Sequence, residues 1–201
     1  MSDDNHDQSK RQEYISKGDN EDPDVSKSIQ LRDMLRRGYS AFKINDYEKA
    51  HQLFEEAITL VPHSAEAHAW LAAVYGRQID AAWSLTDKMK LYSKLENEVT
   101  IALEMDPTLP LARRMNGSKL LNTPDMLGGD PAKAAKEFRY CIDQGMNDIE
   151  IWVSLAKCYM ETADLGKAKE ALNEALAIEP KNKEALQLMQ DALKKKNNKE
   201  R

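Results

Sequence analysis

The chain has 201 residues, 41% of them apolar and 31% charged, and a formal net charge of −5. That length is enough to bury a core, but the acidic balance argues against a general nucleic-acid binder, whose affinity rests on neutralising phosphates. No run approaches the ~18 apolar residues of a membrane span, and the two cysteines, Cys141 and Cys158, are too few for a disulfide scaffold and lack zinc-ligand spacing.

Residues 1–30 carry eight acidic and four basic side chains and almost no apolar ones before Ile29. Such a stretch cannot offset its ordering entropy, so an acidic, largely disordered leader is expected, with room for a short helix near Lys10–Lys17. Met1–Asn5 offers neither a basic region nor an apolar segment, so no signal peptide is expected and the cytoplasm is the expected location. A first unit spans residues 31–64, with Gly38, Ala50, Phe54, Ala57 and Pro62 at regular offsets and Asn45-Asp46 as the turn between two helices. A second spans 65–109. It reads His68-x2-Leu71-Ala72-x2-Tyr75, then Leu95, Val99, Ala102 and Pro107, with eleven extra residues between its halves. The inserted stretch around Ile79–Met89 has no Pro or Gly, so both arms of a helical hairpin should lengthen by one to two turns.

A third unit, 110–148, is marked by Gly117, Leu120, Ala134, Phe138 and Cys141 and carries five extra residues in the run Asn122–Pro131. There Asp130-Pro131 reads as a helix N-cap followed by the first helical residue, and Gly128-Gly129 permit positive φ before it. The Gly-Gly-Asp lacks a P-loop lysine and an EF-hand ligand series, so it reads as turn chemistry. The two inserts fall on one edge of the stack. Trp83 and Leu85 are therefore expected to meet Met126 or Leu127, leaving Trp83 at least partly buried. The fourth unit, 149–182, is the clearest: Trp152-x2-Leu155-Ala156-x2-Tyr159, then Ala168-x3-Leu172-x2-Ala175, then Pro180. Trp152, Leu155, Ala156 and Tyr159 fall on one helical face, small residues let two helices approach, and Pro180 ends the second helix. Residues 183–193 form an amphipathic helix suited to capping the last unit, and 194–201 are a basic tail with net charge +4.

The 34-residue spacing and these signature positions resemble the tetratricopeptide repeat, W-x2-L-G-x2-Y, A-x3-F-x2-A and P. The inserts are also similar to those of bacterial tetratricopeptide proteins with an N-T-P…G-G-D loop and, more distantly, to the regulator of microtubule dynamics family. The resemblance implies an all-α, right-handed α-solenoid of four helix pairs plus a C-terminal capping helix. It also implies a concave groove, lined by the first helix of each pair, that holds an extended peptide. Carried onto this chain, the groove positions are Arg32, Leu35, Tyr39 and Phe42; Ala69, Ala73 and Arg77; Leu111, Arg114, Ser118 and Leu121; and Val153, Lys157 and Met160. A basic set (Arg32, Arg77, Arg114, Lys157) thus alternates with an apolar set (Leu35, Tyr39, Phe42, Leu121, Met160), which suits an acidic, partly apolar peptide. The Lys/Asn carboxylate clamp of chaperone-tail adaptors is not reproduced, since Leu35 and Tyr39 stand in its places in the first unit, Ala73 in the second, and Arg114 and Ser118 where Lys and Arg are expected in the third.

Catalytic signatures are missing: the four histidines form no metal-ligating pair, and there is no nucleophile elbow or Walker lysine. His68, in the place of the signature Trp, and both cysteines read as packing residues. The expectation is a non-catalytic protein–protein adaptor with no cofactor, no metal, no nucleic acid and no membrane span. The alternatives are a module enclosing a small apolar ligand among Tyr39, Phe42, Leu121 and Met160, or a structural unit that associates with itself.

Overall fold

The computed structural model describes residues 23–199; the greater part of the acidic leader, including Lys10–Lys17, lies outside the described residues. Within that range the chain forms nine α-helices, one 3-10 turn and no strand. The helices are α1 (Pro23–Lys43), α2 (Tyr47–Leu60), α3 (Ala65–Ala81), α4 (Leu85–Met105), α5 (Pro110–Asn122), α6 (Pro131–Asp143), α7 (Ile149–Glu161), α8 (Leu165–Ile178) and α9 (Lys183–Lys199). Helix starts follow local chemistry. Asp46, Ser64, Ser84, Asp130, Asp148 and Asp164 each accept the backbone N–H three residues on, at 2.9–3.3 Å, satisfying a donor the helix leaves open. α5 begins without such a side chain, on Pro110.

Two boundaries move. α1 is already helical at Pro23, the first described residue, so residues 23–30 belong to the first helix and not to the leader. α9 runs through to Lys199, so the start of the basic tail continues the capping helix. The long hairpin has the expected form: α3 and α4 have 17 and 21 residues, against 13 and 14 for α7 and α8.

Consecutive helices pair as α1–α2, α3–α4, α5–α6 and α7–α8, and α9 closes on α8. The first helices also touch one another in series (α1–α3, α3–α5, α5–α7, α7–α9), whereas α2, α4, α6 and α8 make no such contacts. The row in mutual contact is the inner, concave side of the stack. Three apolar clusters fill the interior. One unites units one and two around Phe54, Leu71 and Val99; one unites units three and four and α9 around Phe138, Leu155 and Leu172. A small patch of Ala69, Ala102, Leu111 and Ala112 joins them.

The expected contact between the two inserts does not form. Trp83, Leu85, Met126 and Leu127 are all exposed, Trp83 fully so. The cause is local hydrogen bonding: Asp130 N–H donates to Leu120 C=O (2.9 Å) and Gly129 N–H to Pro124 C=O (3.1 Å), which folds the third unit's loop back along α5. The loop is tied to α4 by a polar contact instead, Tyr92 Oη with Thr123 Oγ1 at 2.9 Å. Gly128 takes the left-handed conformation (φ 96°), but Gly129 does not; it is glycine because a Cβ there would run into the Thr123 carbonyl.

Candidate partner-binding face

The concave side is built from α1, α3, α5, α7 and α9, and its character changes along its length. At the N-terminal end lies an aromatic shelf. Tyr39, 42% exposed, leans on Trp70 with ring centroids 5.0 Å apart. Trp70 stacks on buried Phe54 at 5.9 Å and also meets Phe42 at 5.6 Å, while Tyr47 abuts Phe42 edge-on at 5.4 Å. Helical spacing sets Tyr39 and Phe42 on one face of α1, and Trp70 fills the gap from α3. Lys43 Nζ lies 5.8 Å over the Tyr39 ring, so the shelf has a cation at its edge.

In the middle lies an ion network. Arg77 Nη2 donates to both oxygens of Glu150, at 2.8 and 2.9 Å. Arg114 Nη2 reaches the same Glu150 at 3.0 Å, and its two terminal nitrogens hold Asp148 at 2.5 and 3.1 Å. Asp148 is itself the N-cap of α7, accepting from Ile151 N–H. The network therefore ties the second, third and fourth units together across the seam where the apolar core is thinnest. Further along, Lys157 pairs with Glu184 of α9 at 2.6 Å.

These pairings change the reading of the expected groove residues. Arg77 and Arg114 meet at Glu150 and Lys157 pairs with Glu184, so each of the three meets a carboxylate and they do not form an unneutralised basic strip. Arg32 is exposed on α1, with Nε 3.4 Å from Ser28 C=O. Leu35 is a core residue, 8% exposed, and Ala69, Ala73, Leu111 and Val153 are buried as well, because the narrow spacing of adjacent first helices closes over their small or inward side chains. The apolar set is divided too. Phe42 packs against the core of units one and two and Leu121 against that of units three and four, so these two belong to separate apolar clusters. An open hollow lined by Met34, Gln52, Glu55, Glu56, Thr59 and Leu60 lies between α1 and α2, away from this face.

Trp70, Asp148, Glu150 and Glu184 are the residues that position reasoning did not single out. Trp70 lies beside the signature position held by His68, and the acids read as ordinary first-turn complements to the helix dipole. Partnership across 73 residues, as between Arg77 and Glu150, has no local signal. His68 is buried as expected and hydrogen-bonded at both ring nitrogens, to Glu98 Oε2 (2.5 Å) and the Pro62 carbonyl (3.2 Å). The two thiols are free and buried; desolvation pushes Cys141 up to about 11 and Cys158 up to about 12. Among the described residues no group of three or more His, Cys, Asp or Glu side chains is placed to hold a metal, and no helix is long and apolar enough to cross a membrane.

Residues 126–192 match the tetratricopeptide repeat family. The fold is the tetratricopeptide-repeat solenoid. PilF of Pseudomonas aeruginosa superposes with a TM-score of 0.62 at 19% identity, over 86% of this chain and 72% of that one. A MamA protein gives 0.56 at 16% identity over 84% and 83%, and the MamA fragment from Desulfovibrio magneticus RS-1 gives 0.59 at 14% identity over 84% and 86%. At these identities the likeness is one of fold. No curated protein matches the chain in sequence. In tetratricopeptide-repeat terms, α1, α3, α5 and α7 are the first helices of four repeats and α9 is the cap.

Proposed function

We propose that the protein is a non-catalytic adaptor that recruits a segment of a partner protein onto its concave face. The observation that carries this reading is the aromatic shelf: Tyr39 stands exposed on Trp70, on a surface preformed by rigid helices, where an apolar side chain of a partner gains contact with little ordering cost. Fixed helix pairs supply the curvature, so recognition depends on matching a rigid surface. The partner segment is partly apolar and partly acidic, the acidic portion facing the cations at Lys43 and Arg77. The cytoplasm is the proposed place of action, where two free thiols are at home.

The test is a pull-down from cell lysate with the full chain as bait, beside Tyr39→Asp. Both proteins should give the same far-UV circular dichroism. Loss of a specific set of captured proteins with Tyr39→Asp supports the reading. Capture of the same set by both baits overturns it.

A further inference from the structure

We infer that Arg77 and Arg114 form a carboxylate-binding site that Glu150 occupies from within the chain, so that the partner segment enters by displacing Glu150 with a carboxylate of its own. The inference rests on the adaptor reading and names what regulates that face. Its geometric basis is the convergence of two guanidinium groups, from the second and third repeats, on a single side chain of the fourth. In a solenoid each repeat ordinarily meets only its neighbours, so a link from Arg77 to Glu150 is not something the stacking of helices requires.

The three groups differ in how firmly they are held. The Arg114 side chain is 17% exposed and keeps two hydrogen bonds to Asp148, which is fixed in turn as the cap of α7. The Arg77 guanidinium lies 5.8 Å over the ring of Phe42, whose position is set by Tyr47 and Trp70. Glu150 is 57% exposed, in the first turn of α7, and its hydrogen-bond partners are the two arginines. Rotation of Glu150 into solvent would leave both cations in place, with donors directed at the vacated position. An exposed ion pair contributes little to stability, so exchanging one carboxylate for another costs little, while the fork of donors on each arginine favours a planar carboxylate over other anions. Because Arg77 touches Phe42, the site adjoins the aromatic shelf, and a segment with an acidic residue beside an apolar one would engage both. This arrangement of two arginines and an internal competitor differs from the Lys/Asn clamp that the sequence lacks.

The probe is the acetylated dipeptide Glu-Glu, titrated into the full chain while the Arg Nε–Hε signals are followed by nuclear magnetic resonance. Glu150→Ala should give saturable shifts of the Arg77 and Arg114 signals. The wild type should need about tenfold more probe, as expected for a site open about a tenth of the time. Adding Arg77→Ala to Glu150→Ala should abolish the response. Glu150→Gln, which keeps the side-chain bulk, should also bind more tightly than wild type. Equal affinity in wild type and Glu150→Ala, or no saturable shift in either variant at Glu150, overturns the inference. If that happens while Tyr39→Asp still loses its captured proteins, the adaptor reading stands and only the internal competitor falls.

Discussion

Gly38 faces Phe54 so closely that one methyl group should decide the stability of the first repeat. A Cβ built at Gly38 falls 2.5 Å from Phe54 Cε1 and 2.7 Å from Cζ, about 1 Å inside the ~3.5 Å at which carbon atoms rest. The ring cannot retreat: Phe54 is fully buried and lies nearly parallel to Trp70, with an interplanar angle of 8°. Overpacking on this scale costs about 1–3 kcal/mol, set against about 1 kcal/mol that alanine gains over glycine within a helix. Gly38→Ala is therefore expected to destabilise, by up to about 2 kcal/mol. With Phe54→Leu the opposing ring atoms are gone, and in that background Gly38→Ala should stabilise by up to about 1 kcal/mol. The fourth repeat already shows the compatible pair, Ala156 with Leu172, both fully buried. Gly117 is an internal control. Its nearest ring atoms, on Phe138, are at 3.1 Å, so Gly117→Ala needs a shift of only a few tenths of an ångström and should cost less than Gly38→Ala. Urea denaturation of wild type, both single variants and the double variant reads the coupling. If Gly38→Ala changes stability with the same sign beside Phe54 and beside Leu, the packing argument is wrong.

Three further outcomes follow from the structure. Cys141 and Cys158, pushed up to about 11 and about 12 by burial, should be inert to a thiol reagent at pH 8 and both react once the chain is denatured; rapid labelling of the native protein would contradict their burial. The Asp164 carboxyl is held below the usual range first by the Lys167 ammonium and then by the Lys167 N–H, and that of Asp130 first by the Lys133 N–H and then by its ammonium. A carboxylate with a depressed folded pKa stabilises above its unfolded value of about 3.9 and loses that contribution as pH falls through the folded one. Stability should thus decline below about pH 4 less steeply in the Asp130→Asn/Asp164→Asn double variant than in wild type, and equal slopes would count against these caps. Finally, Trp83→Ala should change stability by less than about 0.5 kcal/mol because Trp83 is fully exposed, whereas Arg114→Ala should cost about 1 kcal/mol by removing a mostly buried guanidinium from Asp148, while Glu150 keeps its bonds to Arg77. Equal effects in a denaturant titration would show that the ion network adds nothing.

The repeat itself was written in the sequence. Small and large residues at fixed offsets, such as Ala156 and Ala168 beside Leu155 and Leu172, specify helix pairs because packing two helices is a short-range matter of periodicity and size. The lengths of α3 and α4 and the Asp130-Pro131 start of α6 were legible for the same reason: each depends on residues within a turn or two. Tertiary structure alone decided which side chains on the concave face are spent on one another. That Leu35 sinks into the core, that Trp70 supports Tyr39, and that Glu150 reaches back to Arg77 depend on how far each repeat rotates relative to the next. That rotation is the sum of many small packing adjustments, and no local pattern encodes it. The same holds for Trp83: its exposure was settled by hydrogen bonds that fold the neighbouring loop along α5, a choice visible only once backbone groups distant from the tryptophan had found their partners.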